Sequence, residues 1–248
     1  MLLSKLAQRR SQKPVVLAWA VHFFTATGAL WGLLALIAIV NQAYQQAFFW
    51  MGIAILVDSF DGMLARKLGV MGLTPNFDGA LLDNIVDFET YVVVPALFLY
   101  VADLLPTAVS IAGVALVVLT SAFQFSQSDA KTSDHTFKGF PSYWNIVIFY
   151  LFMFDFPVWF NFAVIVFFAI FVFVPIKYIY PSRMSRYRTP TFIMTGLWFM
   201  LVLVALLQYP AKATTLLLYS LLYIVYYVGL SLYMMVKVKS QRPKIGVQ

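Results

Sequence analysis

The stretch that decides the fold is Tyr44–Glu89, YQQAFFWMGIAILVDSFDGMLARKLGVMGLTPNFDGALLDNIVDFE. Its apolar run, Ala47–Val57, has eleven residues. A hydrocarbon core about 30 Å thick needs about 20 helical residues. A spanning helix must therefore continue through Asp58 and Asp61, which lie three apart and so are neighbours on one face. The segment Lys67–Asp78 contains Gly69, Gly72 and Pro75 and reads as a loop. The next helix is expected to start near Gly79, and Gly79, Asp83 and Asp87 recur every fourth residue and share a face. Two helices joined by a short loop are antiparallel neighbours, so the four aspartates are expected to converge.

The rest of the chain has the composition of a membrane protein. Of its 248 residues 62% are hydrophobic and 11% charged, against roughly 25% charged in a soluble domain. Mean hydropathy is +0.84. The 24 Phe, 14 Tyr and 6 Trp suit a chain with rings at the headgroup level. There is no cysteine, which excludes a disulfide framework, a thiolate nucleophile and a thiolate metal site. The basic start, MLLSKLAQRRSQK, precedes an apolar run too long for a signal peptide and without a small-residue cleavage site. Val15 onward is expected to be a retained span.

Apolar runs against polar breaks predict an all-α, polytopic transmembrane helical bundle of about eight spans. They are Val15–Val40, Tyr44–Leu64, Ala80–Val101, Ala108–Phe125, Ser142–Phe154, Val158–Tyr178, Thr191–Leu207 and Thr214–Val236. On that count sixteen of the seventeen Lys and Arg fall on one side, and only Lys212 lies opposite. Basic residues stay cytoplasmic during insertion, so both termini are expected in the cytoplasm. The net charge of +7 is then a topology and lipid-surface signal, and no nucleic-acid partner is expected. The acidic segment has no second copy, which an inverted-repeat transporter would often show.

Six of the ten acidic residues, Asp58, Asp61, Asp78, Asp83, Asp87 and Glu89, lie where the chain leaves and re-enters the membrane. Carboxylates there are costly and need a reason. Ion pairing at a helix end is the plain reason, yet only Arg66 and Lys67 are near in sequence. Clustered carboxylates cannot all stay ionised without cations or large pKa shifts. Hard oxygen ligands without His or Cys suit Mg²⁺, Mn²⁺ or Ca²⁺. A pair of such ions is suited to displacement at phosphorus.

The pattern Asp58-x2-Asp61-Gly62-x2-Ala65-Arg66, followed by Gly79-x3-Asp83-x3-Asp87, resembles the signature of the CDP-alcohol phosphatidyltransferases at all eight defined positions. The loop between Arg66 and Gly79 is longer than is usual there, which bears on the subfamily and leaves both helical faces intact. The resemblance covers residues 1–180 as a six-span catalytic core, with 181–248 adding two spans and a basic tail. It implies that Asp58, Asp61, Asp83 and Asp87 hold two Mn²⁺ or Mg²⁺ ions, with Asp87 also the catalytic base for the acceptor hydroxyl. It implies that Thr25, Gly62, Ala65, Arg66 and Gly79 bind the CDP-lipid, with Gly28 on the nucleotide side.

The loop Ser128–Asn145, SDAKTSDHTFKGFPSYWN, is similar to the bacterial choline-using branch of that family. This implies a phosphotransferase making phosphatidylcholine and CMP from CDP-diacylglycerol and choline, in the bacterial inner membrane, with its active site at the cytoplasmic face. A homodimer is a further expectation. Choline is a quaternary ammonium that aromatic faces attract, so Glu89, Tyr143 and Trp144 are the candidates for binding it. Two other readings stand beside this one: the same metal chemistry with serine, inositol phosphate or glycerol phosphate as acceptor, and an ion-coupled transporter using the aspartates as a cation pathway. His22 and His135 lack an acidic partner at metal-ligand spacing and read as satisfied polar residues. Pro95 is expected to kink the third span, and Arg183, Arg186 and Arg188 to anchor at the interface.

Overall fold

In the computed structural model, residues 2–129, 136–181, 183–184 and 186–241 are described, with side chains from residue 14 to 237. His135, Lys131, Arg242 and Lys244 lie outside them. The chain forms a helical membrane bundle whose helices gather into two compact units, Met1–Asp103 and Leu104–Gln248. Among the described residues six helices are long and apolar enough to cross a membrane: Pro14–Val40, Tyr44–Leu68, Gly79–Val101, Thr107–Ser126, Arg188–Leu207 and Thr214–Lys237.

In the first unit, α1 (Leu2–Val40) is the helix on which the others pack, namely α2 (Tyr44–Leu68), the short α3 (Val70–Leu73), α4 (Gly79–Phe88) and α5 (Val94–Val101). Its buried positions explain this. Ala18, Val21, Thr25, Gly28, Gly32, Ala35 and Ile39 recur every three or four residues, most of them small. Small residues on one stripe let neighbouring backbones come close inside lipid, where dispersion contacts rather than water exclusion hold helices together. A Cβ on Gly28 would come within 2.5 Å of Val86 Cγ1 on α4. On α2 the buried column Ala47, Met51, Ala54, Val57 runs on into Asp61, so the helix does continue through both aspartates.

Between α4 and α5 the helix makes one π turn, Glu89–Val93, and continues to Val101. Pro95 has no N–H to give to a carbonyl one turn back, and the wider turn just before it accommodates the missing donor. The expected kink is thus a π turn within one spanning helix.

The second unit holds α6 (Ser110–Ser126), α7 (Trp144–Phe154), α8 (Val158–Phe173), α9 (Arg188–Leu207) and α10 (Thr214–Gln241). It also holds an antiparallel pair of three-residue strands, β1 (Thr136–Lys138) and β2 (Lys177–Ile179). The sequence reading carried the sixth span to Tyr178. The helix instead ends at Phe173, because Val174 precedes Pro175 and takes an extended conformation. At 11 and 16 residues, α7 and α8 are only about 17 and 24 Å long. Polar links tie α7 to α9 and α10: Trp198 Nε1 donates to Tyr150 Oη at 2.9 Å, and Tyr150 shares a 2.7 Å hydrogen bond with Ser220. Lys212 pairs with Asp155 at 2.8 Å, so the turn after α7 and the turn after α9 lie at the same end of this unit. Lys138 pairs with Asp129 at 2.7 Å, and its hydrogen bond, then its charge, hold the Asp129 carboxyl below the usual range.

Candidate metal and substrate site

Asp58 on α2 and Asp83 and Asp87 on α4 each offer a carboxylate oxygen within 4.8 Å of the other two. All three are half-buried. Their meeting follows from how α4 is divided along its length. One stripe, Val86 and Thr90, is buried against α1 at Gly28 and Gly32. The adjacent stripe, Asp83 and Asp87, is left to face α2. Asp61 is buried to 4% exposure one turn along from Asp58 and is not in this cluster.

The start of α4 is held from two sides. Asp78 caps it, accepting from the N–H groups of Ala80 and Leu81 at 3.0 Å each. Behind it, His22 Nε2 lies 2.9 Å from Thr74 Oγ1, and His22 packs on Phe77 with ring centroids 4.4 Å apart. A Cβ on Gly79 would sit 2.6 Å from His22 Cε1, so only glycine allows this approach. His22 is thus the satisfied polar residue its sequence context suggested.

The positions carried over for the CDP-lipid fall in two groups. Thr25 is buried and donates to the Val21 carbonyl of its own helix at 3.3 Å. Ala65 packs with Ala18, Val21, Val70 and Leu73. Gly28 and Gly79, as noted, are filled by neighbouring side chains. Gly62 differs, since its nearest neighbour is the Arg66 Nη1, 3.0 Å from an added Cβ. Arg66 is exposed, and a long flexible arm can move aside for a ligand where a packed helix cannot.

Of the choline candidates, Glu89 lies against α1, its Oε1 being 2.8 Å from where a Cβ on Gly32 would stand. Tyr143 is half-buried and meets Phe137 edge-on. Trp144 is fully buried and donates its indole N–H to Ser121 Oγ at 2.7 Å. Arg183, Arg186 and Arg188 each lie over an aromatic ring, at 5.2, 5.1 and 5.6 Å from Tyr180, Tyr187 and Phe192. One residue at the aspartate site escaped the sequence reading: Tyr91, whose hydroxyl donates to Asp58 Oδ2 at 2.7 Å. Its signal was present, because Tyr91 extends the four-residue ladder of Gly79, Asp83 and Asp87 by one step.

The donor set fits a hard divalent cation. Ligand distances of about 2.0–2.6 Å allow two oxygens on one ion to be as much as about 4–5 Å apart, which matches the spread of these three carboxylates.

No protein-family model matches the chain. Among curated proteins it is 35% identical over 216 residues to a phosphatidylcholine synthase of Pseudomonas aeruginosa, a match covering 87% of this chain and 91% of that protein. The chain belongs to the phosphatidylcholine synthase family. It is 40% identical over 210 residues to the phosphatidylcholine synthase of Legionella bozemanae, covering 82% of this chain and 96% of that protein. With the phosphatidylcholine synthase of Legionella pneumophila it shares 44% identity over 169 residues, 68% of this chain and just under two thirds (66%) of that protein's length. Membership in the phosphatidylcholine synthase family makes this chain a membrane enzyme of phospholipid synthesis.

Proposed function

We propose that the chain transfers the phosphatidyl group of CDP-diacylglycerol to choline, giving phosphatidylcholine and CMP. The observation that carries this reading is the approach of Asp58, Asp83 and Asp87 within 4.8 Å, on the motif that the family resemblance assigns to this chemistry. The names of the relatives support choline as the acceptor.

Asp58, Asp83 and Asp87 would hold Mn²⁺ or Mg²⁺ in this account, and Asp61, one turn along α2 from Asp58, would join them as a ligand if a second ion binds. Divalent ions bound there would stabilise the negative charge that develops on the phosphate oxygens and the leaving group. Asp87 accepts the proton of the choline hydroxyl as its oxygen bonds to the lipid-side phosphorus. The bond from that phosphorus to the bridging oxygen breaks, and its electron pair leaves with CMP. Arg66 lies against the phosphates of the donor, and Gly62 leaves room for the nucleotide. Glu89 attracts the choline ammonium in this account, and the reaction takes place at the cytoplasmic face of the inner membrane.

The test is CMP release by the purified protein from CDP-diacylglycerol, with choline, serine, inositol phosphate and glycerol phosphate offered in turn, with and without Mn²⁺. Release that needs both choline and Mn²⁺ is expected. Release with another alcohol would move the acceptor, and solute transport without CMP release would overturn the enzyme reading. In the same assay Glu89→Gln should raise the choline KM by about 10-fold, since it removes a charge attractive to the ammonium. An unchanged KM would place the ammonium elsewhere.

A further inference from the structure

Tyr91 belongs to no part of the motif, yet it touches the aspartate site directly. Its ring is buried, 7% exposed, and its hydroxyl lies 2.7 Å from Asp58 Oδ2. A hydroxyl donating to an ionised carboxylate is a short, charge-assisted bond. It occupies one oxygen of Asp58 and so restrains how the carboxylate turns toward Asp83 and Asp87.

The backbone under Tyr91 serves the same contact. Tyr91 sits in the middle of the π turn Glu89–Val93. Such a turn advances less angle per residue than an α-helix, so the residue four beyond Asp87 stays near the column of Asp83 and Asp87 instead of drifting past it. The π turn also separates two tasks. Glu89 and Thr90 meet α1 at Gly32, while Tyr91 meets Asp58 on α2.

We infer that Tyr91 is a positioning residue that orients Asp58 for a divalent cation shared with Asp83 and Asp87. The inference rests on the proposed metal reading of that cluster. Partners that hydrogen-bond to metal ligands typically matter 10- to 100-fold for metal affinity. Tyr91→Phe removes the hydroxyl and keeps the ring.

The experiment is a direct titration of the detergent-purified full chain with MnCl₂, read by the electron paramagnetic resonance of free Mn²⁺, on wild type, Tyr91→Phe and Tyr91→Met. Apo thermal unfolding in EDTA is followed in parallel, and either variant that unfolds near the wild-type temperature carries the test. The expected result is a Mn²⁺ dissociation constant raised about 10-fold or more. In an Asp58→Asn background, Tyr91→Phe should add no further loss. Wild-type affinity in Tyr91→Phe would overturn the role of Tyr91 while leaving the metal site standing. A wild-type chain that binds no Mn²⁺ would overturn the metal reading itself. An equal further loss in the Asp58→Asn background would show that Tyr91 does not act through Asp58.

Discussion

Asp78 and Asp83 are five residues apart on either side of one helix start, and their substitutions should read differently. Asp78 spends its carboxylate on the N–H groups of Ala80 and Leu81. Asp78→Ala should cost about 1 kcal/mol of stability, the usual cost of losing a cap, and leave turnover within a few-fold. Asp83 spends its carboxylate in the cluster. Asp83→Asn should keep the protein folded in the membrane and lower activity by at least about 10²-fold. Thermal unfolding and CMP release, measured on both variants, separate the two roles; equal losses of activity would contradict the division. At this scale the i+3 and i+4 spacings made Asp58, Asp83 and Asp87 legible in the sequence. Asp61 was legible as a neighbour of Asp58 on the same helix face, whereas its burial to 4% exposure was not. Tyr91 continues the ladder of Gly79, Asp83 and Asp87, but that signal is easily passed over, since an apolar span gives an aromatic residue an ordinary reason to be there.

The contact of α1 with α4 sets the distance between the aspartates. Val86 fills the space at Gly28, so Gly28→Leu would push α4 outward and carry Asp83 and Asp87 with it. Overpacking of this kind costs about 1–3 kcal/mol, and a loss of activity of 10-fold or more is expected. Gly196 on α9 has open space at its Cβ position, and Gly196→Leu should be silent. Activity and membrane abundance of both variants check this, and a silent Gly28→Leu would show that the helix contact does not hold the site. The helices themselves were largely legible, because runs of apolar residues define them regardless of neighbours. The end of α8 and the strand pair were not. An apolar stretch such as Val174–Tyr178 fits helix and strand alike, and Pro175 decided between them.

For the molecule as a whole, the sixteen-to-one division of Lys and Arg predicts both termini and the Arg66–Asp78 loop on the cytoplasmic side. Lys212, the basic residue expected on the opposite side, pairs with Asp155 in the turn after α7. Reporter fusions at Gln248 should report a cytoplasmic location, and an external one would separate the aspartates from CDP-lipid made inside the cell. The membrane class was legible from composition alone, whereas the division into two units reflects contacts between helices that no single run encodes. The central claim is that this aspartate cluster passes a phosphatidyl group to choline. Its most direct measurement is the incorporation of labelled choline into lipid by the purified chain supplied with CDP-diacylglycerol, for wild type and Asp87→Asn, with Mn²⁺ and with EDTA. The account predicts labelled phosphatidylcholine only from wild type with Mn²⁺, matched mole for mole by CMP. Label entering lipid equally in EDTA, or from Asp87→Asn, would contradict it.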